Sequence, residues 1–278
     1  MRYFKFEDIT IRSNTGKGYL LTEKPNTEFG DVNKNELNYI DTDGSTIKDV
    51  YFQPRSIDIN GHILADSQSE LESLKRKLIC ACNPKNDVGL TYFNGAGKYY
   101  ALAKPTSLPD FGEQRCWNIE FIVYFTIPRF YWLSEGEIQN NVFARNDILK
   151  TPFEFPTMFT ERTNTAIIVN DGDVETPCVF DIYLSDAVSA RSAQSIKIIN
   201  NSTNKYIELF HSIQQGEIIT INTEDATITS NLNGNLITEV TPDSIFFTLA
   251  RGANDIEAVL SNTNAVVVSK HRCRYMGV

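Results

Sequence analysis

The chain has 278 residues, 41% hydrophobic and 22% charged, ordinary figures for a soluble globular protein and enough for two domains with a core each. Its net charge of −9 opposes tight binding to a phosphate backbone or an anionic membrane surface, both of which recruit clustered Lys and Arg. No apolar run approaches the ~20 residues that cross a bilayer, and the start Met1-Arg-Tyr-Phe-Lys-Phe-Glu-Asp carries charges where a signal peptide needs apolar residues, so synthesis and retention in the cytoplasm are expected.

Short β-rich stretches between Gly, Asn and Asp predict a mainly β protein. Phe4, Phe6, Ile9 and Ile11 open it as strand, with a break at Glu7 and Asp8. Residues 22–49 are polar and carry Pro25, Gly30 and Gly44, with Phe29, Leu37, Tyr39, Ile40 and Ile47 among the few apolar side chains. This predicts a long loop or an extended hairpin arm. Ile57 and Ile59 mark a strand that Asn60-Gly61 is expected to end. A helix is predicted from Ser67 to Cys82: Ser67 and Glu70 fit a capping box, and Leu71, Leu74 and Leu78 share one face. Glu72 is within reach of Lys75 and Arg76 on the other face, and Asn83-Pro84 stops the helix. Residues 90–93 and 98–103 flank Asn94-Gly95-Ala96-Gly97 as a hairpin. Trp117, Ile119, Phe121, Val123 and Phe125 then alternate as a long strand ending at Pro128.

A polar, proline-bearing stretch over residues 134–164, with Pro152 and Pro156, reads as a linker, which places the domains at 1–134 and 135–278. Beyond it, strand candidates recur at 179–184, 196–199, 206–210, 218–221, 228–232, 245–249 and 265–269. Their connectors are Asn170-Asp-Gly-Asp173, Asn201-Ser-Thr-Asn204, Gln215-Gly216, Asn233-Gly234 and Arg251-Gly-Ala-Asn254. Such spacing predicts an antiparallel β-sandwich.

The order of motifs resembles the distal tail protein family of siphophages. In the first half it comprises Arg55-Ser-Ile-Asp-Ile-Asn-Gly-His-Ile63, Leu71-Glu-Ser-Leu-Lys-Arg-Lys-Leu78, Gly89-Leu-Thr-Tyr92, Lys98-Tyr-Tyr100 and Pro128-Arg-Phe-Tyr-Trp132. In the second it comprises Asn170-Asp-Gly-Asp173, Gly216-Glu-Ile-Ile-Thr-Ile221, Arg251-Gly-Ala-Asn254 and Arg274-Tyr-Met-Gly-Val278. The resemblance implies an N-terminal split β-barrel with one helix and a C-terminal galectin-like β-sandwich. It further implies a homohexameric hub ring at the virion tail tip. Such a ring joins the major tail tube protein to the tail-associated lysin or tail-tip protein and carries receptor-binding proteins. Residues 22–49 would then be a ring-forming arm.

The chemistry a rival function would need is sparse. Gly97-Lys98 fails as a phosphate loop, because Tyr92 stands at the first glycine and Tyr99 follows the lysine. The three histidines, His62, His211 and His271, lie in no motif; His62 follows a strand turn, and His271 belongs to a basic run that reads as the solvated face of a terminal strand or as an interface strip. Glu135 with Glu137, and Asp171 with Asp173, read as loop chemistry. Cys80 and Cys82 stand two apart on the helix and no Cys-x-x-Cys occurs, so buried reduced thiols are expected in place of zinc or a disulfide framework. No catalytic, cofactor-binding or metal residue is assigned, and sequence-specific nucleic acid and membrane are not expected partners. The rival reading is a cell-wall carbohydrate-binding module, since a galectin-like sandwich is a lectin scaffold. However, Trp117 and Trp132 both precede the sandwich, and fold alone does not confer activity.

Overall fold

The computed structural model describes residues 1–13, 16–28, 30–38, 43–147, 160–184, 194–260 and 265–278. They form two units, Met1–Glu135 with Tyr275–Val278, and Gly136–Arg274. Phe29, Tyr39, Ile40, Pro152 and Pro156 of the sequence analysis lie outside the described residues.

In the first unit, β1 (Tyr3–Phe6) and β2 (Ile9–Arg12) form a hairpin whose turn sets Glu7 at φ 46°. There follow β3 (Gly18–Leu21), β4 (Val32–Asn38), β5 (Ser45–Phe52), β6 (Arg55–Leu64), helix α1 (Gln68–Ala81), β7 (Val88–Phe93), β8 (Lys98–Pro105), β9 (Asp110–Arg115), β10 (Asn118–Ile127) and β11 (Trp132–Ser134). The order β8-β7-β1-β2-β3-β6-β10 closes on itself through Phe125↔Pro105 and Thr126↔Lys104, giving a seven-stranded barrel. One seam is nearly open, because β2 and β3 share only the parallel bridge Arg12↔Leu20. The alternation of β1, β6 and β10 sends Phe4, Phe6, Ile57, Ile59, Phe121 and Phe125 into the core.

Helix α1 starts as its sequence dictates. Ser67 Oγ accepts the Glu70 N–H (3.3 Å), while the Glu70 carboxylate reaches back to the Asp66 N–H (2.8 Å), one residue earlier than in the standard box. Leu71 and Leu78 are fully buried in the barrel core, and the Tyr19 hydroxyl donates to Leu74 O (2.8 Å).

Two expectations for this half are corrected. Asn60-Gly61 does not end a strand, since β6 runs through it to Leu64. Gly61 is needed for close approach: a Cβ there would lie 2.5 Å from Leu20 O and 2.5 Å from the Phe121 ring. His62 therefore sits within a strand, opposite Glu120 of β10, and not at a turn.

The second unit packs two antiparallel sheets around Phe180, Ile182, Ile198, Leu209, Ile221, Phe247 and Val267. Its strands are β12 (Ile138–Asp147), β13 (Thr160–Thr163), β14 (Thr165–Asn170), β15 (Cys178–Leu184), β16 (Gln194–Asn200), β17 (Lys205–His211), β18 (Ile218–Asn222), β19 (Thr227–Ser230), β20 (Gly234–Asn235), β21 (Gly252–Leu260) and β22 (Ala265–His271). One sheet has the order β13-β12-β22-β15-β18-β19-β20 and the other β14-β21-β16-β17. This is the sandwich expected, with three differences. Part of the presumed linker is the strand β12, paired to β22 from Ile138↔His271 onward. Arg251-Gly-Ala-Asn254 is no simple connector, because Gly252 opens β21. Residues 245–249 lie in no named strand; Ile245 N–H bonds Tyr206 O (2.8 Å) and Leu249 makes an isolated bridge to Thr176.

Candidate functional site: assembly surfaces

Among the described residues no group of His, Cys, Asp and Glu is placed to hold a metal ion. Cys82, Cys178 and Cys273 are buried, as expected of the thiols, whereas Cys80 and Cys116 are exposed, which corrects that expectation for these two. Burial pushes the Cys82 and Cys178 thiols up to about 12, so neither forms the nucleophilic thiolate near neutrality. The Glu135 carboxylate meets Lys98 (3.1 Å), and Asp171 and Asp173 lie in a turn whose Gly172 N–H is bound by Asn170 Oδ1 (3.0 Å). His271 is buried, with Nε2 3.2 Å from Val169 O; it is not on a solvated face, and burial lowers its pKa.

Sequence reasoning missed a buried polar knot in the sandwich. The carboxylate of Glu217, fully buried, receives Asn233 Nδ2 (2.8 Å), the Gln214 N–H (2.8 Å) and the Ser230 hydroxyl, and faces His211 Nε2 (2.9 Å). The other ring nitrogen of His211 faces Glu239 (2.7 Å). Burial alone would raise the Glu217 carboxyl, but its hydrogen bonds from Ser230, Gln214 and Asn233, with His211 alongside, hold it below the ordinary value. A carboxyl depressed by folding stabilises the fold above its unfolded pKa of about 4.3, and that contribution disappears as pH falls through the folded value. In calorimetry from pH 7 to 3, the wild-type sandwich is expected to lose stability more steeply below about pH 4.3 than Glu217→Gln, which starts about 1–3 kcal/mol lower. Parallel acid limbs for the two proteins would show that this carboxylate is not responsible.

The surface that stands apart is the hairpin β4–β5. It forms a sheet of its own, and every residue of both strands is exposed. An isolated two-stranded sheet is at best marginally stable in water. Its register runs from Val32↔Phe52 to Asn38↔Ser45, with a bulge between Asn35 and Glu36 that leaves Lys48 unpaired. The bulge matters because it inverts the parity of the distal half of β5. Ile47, which strict alternation would put on the face of Tyr51, joins Val50, Phe52 and Val32 on the other. These four apolar side chains, 40–54% exposed, form one stripe along the hairpin.

The root of the hairpin is fixed. Phe52 stacks on Phe130 (4.4 Å between centroids, 20°), and the Arg55 guanidinium lies over the same ring at 4.5 Å. Arg55, only 1% exposed, also donates to Thr27 O (2.5 Å) and Met276 O, while Thr27 Oγ1 donates to Val278 O (2.6 Å). Gly30 is required beside this hub: a Cβ would sit 2.1 Å from the Phe130 ring. Phe130 itself holds φ 62°, an uncommon conformation for a bulky residue. The hairpin is therefore held at its root by contacts within its own unit, while its strands stay exposed.

Comparison with known proteins follows the same division of the chain. Residues 14–142 match the model of the phage tail protein RIFT-related domain, and residues 171–275 match that of the siphovirus-type tail component, C-terminal domain. No curated protein matches the sequence. Among solved structures, the chain is similar to the Dit protein of phage SPP1, described as a paradigm of the hub adsorption apparatus in phages infecting Gram-positive hosts. Identity is 12% over 98% of this chain and 99% of that one, with a TM-score of 0.70. A chain of the phage P2 baseplate in its activated conformation, solved with Ca and with Sr, is 14% identical over the full length of both chains, with a TM-score of 0.55. At such identities these likenesses concern the fold.

Proposed function

The chain belongs to the siphophage distal tail protein family, structural components of the tail-tip hub, and from that premise we propose that it acts without catalysis, as the subunit of a homohexameric ring. The ring sits at the virion tail tip after assembly in the host cytoplasm. Residues 1–134 form its body, and residues 135–278 serve as the platform for receptor-binding proteins. One face of the ring meets the last ring of tail tube protein and the other the tail-associated lysin or tail-tip protein.

The observation that carries this reading is the arm β4–β5, a two-stranded sheet of its own on which Val32, Ile47 and Val50 are exposed. A closed ring needs two different complementary patches on each subunit, joined head to tail. The arm supplies one of them. Co-production with the tube protein and the lysin of the same particle, followed by native mass spectrometry, tests the assignment: each partner should be retained on an oligomer of this chain. Failure to retain either would contradict it.

A further inference from the structure

The four-stranded sheet of the sandwich has one capped edge and one open edge. At β17 the edge is closed: Thr241 N–H donates to Glu208 O (2.9 Å), Ile245 N–H donates to Tyr206 O (2.8 Å), and Leu209 bridges Val240. At the other edge, β14 pairs with β21 and with no further strand among the described residues. Two bonds show which backbone groups of β14 point outward. Asn164 O accepts the Ala258 N–H of β21 (2.8 Å), whereas Val169 O accepts from His271 Nε2 (3.2 Å). Backbone direction alternates along a strand, so Ala166 and Ile168 face β21, and Thr165 and Ile167 turn their N–H and C=O to the open edge.

Edge strands ordinarily avoid foreign pairing through charges, prolines or bulges. Thr165-Ala-Ile-Ile-Val169 has no charge and no proline, and its register with β21 is unbroken. Ile167 is 69% exposed and Val169 44%. Beside them stands uncompensated acid: Asp255 lies opposite Ile167 and Glu257 opposite Thr165, so their side chains share the outer face. Among the described residues these carboxylates meet only Asn201 Nδ2 (3.2 and 3.4 Å) and no cation. Building on the reading of residues 135–278 as a platform, we propose that the receptor-binding protein attaches at β14. It does so through an extended apolar segment that pairs with this edge as a fifth strand and directs Lys or Arg to Asp255 and Glu257. The added strand lies about 9.6 Å from β21, two strand spacings, a gap that suits a long basic side chain. A second copy of β14 fits less well. It brings no cation to the two carboxylates, and two copies of one edge paired about a two-fold axis make a dimer that does not extend round a ring.

Co-production of the full chain with the receptor-binding protein and the tube protein of the same particle, followed by affinity capture, tests this. Ile167→Pro removes an outward N–H at an edge position where proline is otherwise tolerated. Asp255→Lys/Glu257→Lys reverses the charge without touching the backbone, and so remains informative if proline disturbs the strand. Each variant should weaken binding of the receptor-binding protein roughly tenfold, with capture of the tube protein and the melting temperature unchanged. Ile245→Asp, at the capped edge and 53% exposed, should change none of the three. Wild-type binding by both edge variants, or dimers of the chain alone that Ile167→Pro dissolves, would overturn β14 as the attachment strand and leave the platform standing. A wild-type chain that captures tube protein but never the receptor-binding protein would overturn the platform, and this inference with it.

Discussion

Ile47→Asp and Val50→Asp should each leave the chain folded and abolish its self-association. Ile47 and Val50 are 48% and 54% exposed, and neither belongs to a core cluster. Substitution at such positions changes stability by roughly 0.5 kcal/mol or less. A carboxylate in the middle of an apolar contact is another matter. It must be desolvated without a partner, which costs association about 2–4 kcal/mol, roughly 30- to 1000-fold in affinity. Thermal melts and sedimentation velocity of the same samples separate the two effects. Unchanged melting with loss of oligomer is the expected pair. Oligomers that survive both substitutions would exclude the stripe as an interface.

The second large effect is at the arm's root. Arg55→Ala is expected to destabilise the first unit by about 3 kcal/mol. The guanidinium is buried against the Phe130 face and donates to the carbonyls of Thr27 and Met276. Truncation removes the donor to the buried Thr27 carbonyl and leaves a cavity beneath the ring. The same hub holds Tyr275–Val278 beside residues from the first sixty, so deleting those four residues should give a similar loss. Denaturant titration of both variants provides the check, and a midpoint equal to that of the wild type would refute the hub's structural role. Arg55→Lys is informative as a control, since an ammonium keeps the charge but loses the planar fork and its stacking.

Much of the fold was legible because it is written in local pattern. Ser67, Glu70, Leu71 and Leu78 specify α1 through a cap and a 3.6-residue period, and both operate within a few residues of the chain. Ile119, Phe121, Val123 and Phe125 do the same for β10 with period two. β12 escaped because Ile138–Asp147 is a polar sequence; pairing with β22 makes it a strand, and no local period records that pairing. Gly61 looked like a turn residue for the same reason, since its two close contacts come from Leu20 and Phe121, far away in sequence.

The site was legible only in outline. A polar stretch with few apolar residues pointed to an arm, but the register shift that brings Ile47 beside Val50 depends on how two strands meet. The role of Arg55 was likewise hidden, because its partners Thr27, Phe130 and Met276 converge from three parts of the chain. Glu217 and His211 lie six residues apart in sequence, and nothing there distinguishes their fully buried contact from a surface pair.

Negative-stain microscopy of the purified wild-type chain, alone and with its tail tube protein, tests the central claim most directly. Closed rings of six copies, formed by the chain itself or on the end of the tube, are the predicted result. Separate monomers in both samples, with no binding to the tube end, would contradict it.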